Sequence, residues 1–514
     1  MALEFLGSEK NTLPANVLAL VASVDASGWS AMARQLKEED ARLLTLWGTD
    51  DRDRDGRFRI HAAFLVDHRI DVLVHALEQG ASVYPALSHW FPVADRLQRA
   101  VYDLIGLEAD GGGTRPWLNH GGWPETYFPL RRDGGIDPGH PTTTKPYPFV
   151  RVSGEGVHEI AVGPIHAGTI EPGHFRFSVV GEKVLRLEAR LGYTHKGIAK
   201  RFETLALQDG HRLAARICGD SSVAYAWAYC AALEAIAGTW IPARAAALRA
   251  LALERERLAN HLGDLGALGN DAGLAFGLTQ FSSLKERLLR VNQEAFGQRY
   301  LVDYLVPGGV AVDLGPRIVQ VLFDEAHALE EAVSSMRGIY DNHAGLQDRF
   351  KDTGRLDNRL AIDHGALGLV GRASGVDLDL RCDTPWPPYD HHPLHRCLRA
   401  EGDVAARVQL RFDEVMESLR WCRSLLENLP VGPSLTALPG TPPNQLGLGL
   451  VEGWRGPVMV ALETGVGDRI RRCHAHDPSW QNWPLLEHAV IGNIVPDFPL
   501  INKSFNLAYS GHDG

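Results

Sequence analysis

An α+β fold is predicted for this chain, and three features of the sequence predict it. Two strand-like runs and a helical stretch lie near the N-terminus, and a strand hairpin follows a Gly/Pro-rich segment. Long helical periodicities then dominate the remainder. Residues 42–47 (RLLTLW) and 58–66 (FRIHAAFLV) read as strands, separated by the charged turn Asp50–Gly56. Pro92–Ile105 reads as a helix, and Asp110–Pro148 is a Gly-, Pro- and Thr-rich linker that marks a domain boundary. His158–Val162 and Phe175–Leu191 read as strands. Phe175, Phe177 and Val179 alternate, as do Leu185, Leu187, Ala189 and Leu191, and Gly181-Glu182 suits a tight hairpin. After Gly197 the pattern turns helical. Pro242 opens a long helix reaching about Leu262, where its missing N–H costs little. Val404, Val408, Phe412, Val415, Leu419, Cys422 and Leu426 form one helical, core-facing stripe. No internal repeat is apparent.

Composition excludes several function classes. A length of 514 residues fits two to four domains, and 45% hydrophobic with 22% charged residues is globular. A net charge of -11 without a basic stripe argues against nucleic-acid binding. No apolar run approaches the roughly 18 to 20 residues that span a bilayer, and MALEFLGSEK lacks the pattern of a secretory signal. A cytoplasmic chain is expected, its membrane link running through partner subunits. The six cysteines include no CxxC and form no disulfide framework. No P-loop or GxGxxG is present, so direct NAD binding is not expected.

A series of collinear segments carries a resemblance that periodicity cannot supply. They are GPIHAGTIEPGHFRF (163–177), GYTHKGI (192–198), ARICGDSS (215–222) and LVPGGV (305–310). GRASGVDLDLR (371–381), EGDV (401–404), VEGWRGP (451–457) and DPSWQNWPLLEHAVIGNIVPDFPLINKSF (477–505) follow. Together they resemble the large subunits of group 4, energy-converting NiFe-hydrogenases and, more distantly, the 49-kDa subunit of complex I. Upstream, WFPVADRLQRAVYDLIGL (90–107) and HGGWPETYFPLRRD (120–133) are similar to the 30-kDa subunit of complex I. The resemblance implies an unassigned extension at 1–40, a 30-kDa-like α/β domain at 41–135 and a linker at 136–157. A hydrogenase large-subunit-like domain at 158–514 would hold a small β unit and a large helical bundle.

In that family four thiolates, from an N-terminal CGxC and a C-terminal CxxC, hold nickel and iron, because soft sulfur ligands bind and bridge both metals. Matched residue by residue, the positions fall on Cys218, Ser221, Ala508 and Gly511. With one ligand left of four, no NiFe centre and no metal are expected. Complex I instead uses a histidine in the hairpin loop and a tyrosine on the following helix to hold quinone. Those positions carry Ile170 or Glu171, and Gly219, which leaves Tyr225 one helical layer on as a stand-in. Glu171 falls where the hydrogenases keep a proton-passing glutamate; otherwise it caps a loop or pairs with Arg176 or Arg216. His166 and His174 are loop-ordering or catalytic. Arg216, Arg299, Arg372 and Asp377 build either a charged lining of the old cavity or a structural network. Glu171, His166, Arg216, Arg372 and Asp377 are thus the candidates for proton transfer or acceptor binding. Cys473, His474 and His476, and separately His391, His392, His395 and Cys397, are metal-ligand residue types without a complete four-ligand pattern.

The resemblance implies an oxidoreductase subunit of the NADH:quinone oxidoreductase and hydrogenase-4 type, peripheral on the inner face of the cell membrane. It would dock an iron–sulfur small subunit, the bearer of a 4Fe–4S cluster, and sit on antiporter-like membrane subunits. It would bind no cofactor itself, with quinone as a candidate acceptor. A non-catalytic scaffold is the alternative, and an active hydrogenase, resting on Cys218, is a third. Convergence of Glu171, His166, Arg216 and Arg372 on an open pocket discriminates chemistry from scaffold.

Overall fold

The structure is a computed structural model and describes residues 11–113, 115–134, 146–166 and 170–514. The expected linker lies partly outside these residues, as do Ala167, Gly168 and Thr169 of the hairpin-loop motif.

Seven strands and three helices build the N-terminal unit: β1 (Asn11–Thr12), β2 (Ala19–Val24), α1 (Ala26–Glu38), β3 (Arg42–Asp51), α2 (Arg52–Asp55), β4 (Arg57–Val66), β5 (Arg69–Ala76), β6 (Val83–Pro85), α3 (Ala94–Ile105) and β7 (Glu108–Asp110). The main sheet has the order β1-β2-β5-β4-β3, in which β2 and β5 run parallel and the other pairs antiparallel. Residues 19–38, which match no motif, therefore supply a central strand and a covering helix. The Asp25 carboxylate caps α1 by accepting from the Gly28 N–H at 2.7 Å, and Trp29, Met32, Ala33 and Leu36 form its buried stripe. At β3, Leu97, Val101 and Ile105 of α3 pack on the sheet. Gly48 permits that approach, since a Cβ there would stand 2.8 Å from the Ile105 methyl.

The second part opens with an antiparallel sheet of β8 (Val157–Val162), β9 (His174–Val180) and β10 (Lys183–Arg190). The hairpin turns at Gly181, where φ is +58°, and Phe175, Phe177 and Val179 are buried. Short helices α4 (Ile198–Phe202) and α5 (Gly210–Ala214) lead to the bundle of α6 (Ser222–Ile236), α7 (Ala243–Asp271) and α8 (Ala275–Phe296). A two-stranded ribbon, β11 (Leu305–Val306) and β12 (Gly309–Val310), precedes α9 (Pro316–Asn342) and the short α10 (Ala344–Phe350), α11 (Asn358–Asp363), α12 (Gly368–Ala373) and α13 (Leu380–Asp383). The stripe expected from Val404 to Leu426 is buried on α14 (Val404–Glu427), against α7 and α9.

A third sheet, not expected from the sequence, follows: β13 (Leu446–Gly453), β14 (Gly456–Thr464) and β15 (Ile470–His476), antiparallel throughout. It packs on α6 through small residues on both sides. A Cβ at Gly449 would overlap the Ala228 carbonyl, and one at Gly447 would stand 2.9 Å from the Ala232 carbonyl. Helices α15 (Ser479–Ala489), α16 (Phe498–Phe505) and α17 (Ser510–Asp513) complete the chain. The two parts form a continuous seam. Gln481 donates to the Leu43 and Leu44 carbonyls, Arg471 pairs with Asp51 and Asp53, and Arg96 pairs with Glu487 at 2.7 Å.

Candidate functional site

Two remote chain segments meet under the β13–β14 turn. Cys218 and Ser221 stand at the N-terminal end of α6, while Ala508 and Gly511 lie around the turn from α16 to α17. Arg455, in the turn, joins the segments. Its guanidinium bonds both carboxylate oxygens of Asp220 at 2.6 Å, and its Nε donates to the Asn506 carbonyl at 2.6 Å. The same Nη1 lies 3.3 Å from Ser221 Oγ and 3.9 Å from Cys218 Sγ. Bidentate guanidinium–carboxylate pairs fix both orientation and charge, so this arrangement is rigid.

Asp477 closes the other side. Its Oδ2 accepts from the Tyr225 hydroxyl at 2.7 Å and its Oδ1 from the Ser479 N–H at 2.8 Å. The Ser479 hydroxyl in turn accepts from the Ala508 N–H at 2.9 Å. A Cβ at Gly511 would overlap the Asp477 carboxylate, so the glycine is what lets that carboxylate stand there. Burial pushes the Cys218 thiol far above its ordinary value, with Asp220 adding to the effect, and burial does the same to the Tyr225 phenol. Cys218 is therefore a neutral thiol donating to Asp220 at 3.0 Å.

This donor set does not fit the metal pair that the family's motif implies. One protonated thiol, a hydroxyl, a methyl and a hydrogen stand where four thiolates are needed. Of the four, Cys218 and Ser221 lie against the Arg455 guanidinium.

The predicted residues are spread over several environments. Glu171 reaches the cleft's edge, is exposed, and accepts from the Ser510 N–H at 3.1 Å. His166 Nε2 lies 2.9 Å from the Gly173 carbonyl and His174 Nδ1 3.0 Å from that of Gly163, so both rings tie the loop to itself. Arg216 is half exposed and pairs with Asp303, and Arg299 pairs with Glu286. Asp377 is exposed and pairs with Arg396. Arg372 alone is fully buried, bonded to Glu414 at 2.7 Å and Glu452 at 2.9 Å. The acid beside it at 3.7 Å is Asp379, which also binds Arg381. Glu171, His166, Arg216 and Arg372 thus do not converge on one pocket. Tyr225 is buried and committed to Asp477. His474 bonds Thr45 at 2.8 Å, whereas His391 and His395 are exposed beside Asp390 and Glu417. Among the described residues no His/Cys/Asp/Glu group is arranged to hold a metal ion.

Sequence reasoning missed Arg455, Asp220 and Asp477. The available signal was an acid lodged between Cys218 and Ser221, together with an arginine and an aspartate inside two other matched motifs.

Arg372 belongs to a larger buried ion network on α7, α12, α14 and β13. Glu254 receives Arg381 at 3.0 Å, the Tyr389 hydroxyl at 2.9 Å and the Ser418 hydroxyl at 2.6 Å. His261 lies 2.7 Å from Glu414, and Arg257 donates to the Glu452 carbonyl at 2.9 Å. Glu414 is held well below the usual carboxylate range, above all by Arg372 against the cost of its burial.

A 30-kDa-like sheet unit welded to a helical unit with a cleft at the start of α6 defines a class, the fused large subunits of membrane-linked redox complexes. Comparison with known proteins agrees. Residues 22–138 match the family model described as respiratory-chain NADH dehydrogenase, 30 Kd subunit, and residues 271–446 match that of the 49 Kd subunit. Formate hydrogenlyase subunit 5 of Escherichia coli is 30% identical over 482 residues, covering 92% of this chain and 84% of that protein. An NADH-quinone oxidoreductase subunit of Bacteroides thetaiotaomicron, designated C/D, is 27% identical over 455 residues, covering 82% and 85%. A solved structure of the membrane-bound sulfane sulfur reductase, an archaeal respiratory membrane complex, matches with a TM-score of 0.66 at 25% identity. It covers 70% of this chain and 99% of that one. The chain belongs to the family of group 4 NiFe-hydrogenase large subunits and complex I 49-kDa subunits, with a 30-kDa-subunit-like unit at its N-terminal side. Among the described residues, no helix is long and apolar enough to cross a membrane.

Proposed function

We propose that this chain is a peripheral subunit of a membrane-associated, complex I-like redox assembly in which the hydrogenase fold is kept and the NiFe centre is gone. Its role is to hold an iron–sulfur small subunit against antiporter-like membrane subunits on the cytoplasmic face, as a scaffold that performs no redox step itself. The observation that carries this reading is the donor set itself, Cys218, Ser221, Ala508 and Gly511, of which Cys218 and Ser221 lie against the Arg455–Asp220 ion pair. The similarity to formate hydrogenlyase subunit 5, an NADH-quinone oxidoreductase subunit and a sulfane sulfur reductase complex supports the setting. Quinone reduction at this cleft is the second reading, and it is favoured only by Glu171, which faces solvent at the cleft's edge.

Metal analysis and electron paramagnetic resonance on the affinity-purified membrane complex test the proposal. Iron–sulfur signals with nickel well below stoichiometry are expected. Stoichiometric nickel bound to this chain would overturn it.

A further inference from the structure

A cavity of about 380 Å³ opens where the α1–β3 turn of the N-terminal unit meets α11 of the second part, and it shares no residue with the cleft. Its lining combines apolar surface with charge. Phe91 and Leu43, both buried, supply one apolar wall, and Ile362, 44% exposed, supplies another. Lys37 from the last turn of α1, Asp40 from the turn that follows and Arg42 from the start of β3 bring both signs of charge to the same space.

Opposite charges that line one cavity ordinarily pair with each other, and these three do not. Among the described residues, the side chains of Lys37, Asp40 and Arg42 make no hydrogen bond or ion pair, and each is at least partly exposed. The Lys37 ammonium stands 5.9 Å from the centre of the Phe91 ring. Arg42 feels the charges of Asp383 and Asp40 without bonding either, and burial outweighs both, lowering its pKa from the ordinary value. Asp383 is itself bound to Arg396. Asp40 is fixed by the backbone, at φ +56°, with its N–H donating to the Lys37 carbonyl at 3.2 Å. The remaining polar groups of the lining are engaged elsewhere. Asp363 pairs with Arg359 at 3.8 Å, and the His364 ring packs on that of His488, 5.2 Å between centres. A partly desolvated guanidinium without a counter-ion is costly, and a ligand carboxylate that reaches it recovers that cost.

We propose that this cavity binds a free α-amino acid with an apolar side chain. Its carboxylate accepts from Arg42 and Lys37, its ammonium donates to Asp40, and its side chain lies against Phe91 and Ile362. A ligand of one charge leaves one sign of the lining unanswered, whereas a zwitterion answers both. The inference is independent of the function proposed for the cleft.

Calorimetric titration of the full chain at neutral pH tests it, with leucine, 4-methylpentanoate and 3-methylbutylamine as probes. The last two are leucine without its ammonium and without its carboxylate. Leucine is expected to bind saturably at one site, at least about 10-fold tighter than either analogue. Arg42→Gln is expected to weaken leucine binding at least about 10-fold. Asp40→Asn is expected to do the same while leaving 4-methylpentanoate unaffected. Asparagine tolerates the left-handed backbone at this exposed position, so this variant serves if Arg42→Gln fails to fold. Absence of saturable leucine binding, an analogue binding as tightly as leucine, or leucine affinity unchanged in Asp40→Asn would each overturn the assignment.

Discussion

At the scale of single residues, Arg455 decides the character of the cleft. It is 7% exposed and bonds Asp220 twice, the Asn506 carbonyl and the Ser221 hydroxyl. A lysine keeps the charge but not the fork, and charged hydrogen bonds each contribute about 1.5–3 kcal/mol. Arg455→Lys is therefore expected to lower unfolding stability by about 2 kcal/mol, read by urea denaturation of the purified chain. Stability equal to the parent would show that the pair is incidental. Half of this cleft was legible in the sequence. Motif matching identified Cys218, Ser221, Ala508 and Gly511, four positions from segments almost 300 residues apart that the fold does bring to one turn. It could not show which charged groups pair beside them. Arg455, Asp220 and Asp477 act through distances to one another, and a linear reading leaves each as an ordinary charge. Arg216 and Asp377 illustrate the converse, since their charges suited a cavity lining but are satisfied at the surface by Asp303 and Arg396.

At the scale of elements, helix α7 and strand β13 show why some structure was hidden. Periodicity ends the helix near Leu262, whereas α7 continues to Asp271. Glu254, Arg257, His261 and Asp264 are all buried on it, so the polar residues that normally mark a solvent face here mark the interior. Glu256 is one more such residue. Burial, reinforced by the Asp220 charge, pushes its pKa up to about 8, although the Val223 and Ala224 N–H groups donate to it. Because the folded value lies above that of the unfolded chain, Glu256 keeps its proton on folding. Its contribution is full below about pH 4.5 and is lost as pH rises through about 8. Glu256→Gln removes this dependence, its single amide oxygen accepting from one of the two N–H groups, which bond different carboxylate oxygens. Its stability relative to the parent is expected to rise by on the order of 4 kcal/mol between pH 5 and pH 9, measured by denaturation across that range. Parallel pH profiles would show that the acid is ionised in the folded chain. Strand β13 was missed for another reason. In LGLGLVEG the glycines blur the alternation that marks a strand, yet they are the surface on which the alanines of α6 lie. Gly449→Ala puts a methyl into the Ala228 carbonyl and is expected to cost at least about 3 kcal/mol, seen as a lowered Tm. A Tm equal to the parent's would mean that helix and sheet are not in that contact.

At the scale of the whole molecule, the two units recognised separately in the sequence behave as one body. The Gly/Pro-rich segment after Asp110 reads as a linker at a domain boundary, but the contacts across the seam come from residues remote in the chain. Gln481 reaches the β3 carbonyls, and Glu487, which accepts from the Ala189 N–H, takes Arg96. Trp47 is the centre of this seam. Its indole stacks between the imidazoles of His61, at 4.9 Å, and His474, at 5.0 Å, one from each side. No periodicity could expose that stack, because His474 lies more than 400 residues from Trp47 and His61 and β15 was not foreseen. Interfaces between loosely tethered domains are more polar and permit motion, whereas a buried, hydrogen-bonded seam couples the unfolding of its two sides. Calorimetry of the full chain is therefore expected to give one cooperative transition. Trp47→Ala, which removes the stacked ring and leaves both histidines facing a void, is expected to split it or to lower both halves together by about 3–5 kcal/mol. Two well-separated transitions in the parent chain would mean that the units are joined only by the linker. The proposed scaffold role needs the opposite, a single rigid body joined by such a seam.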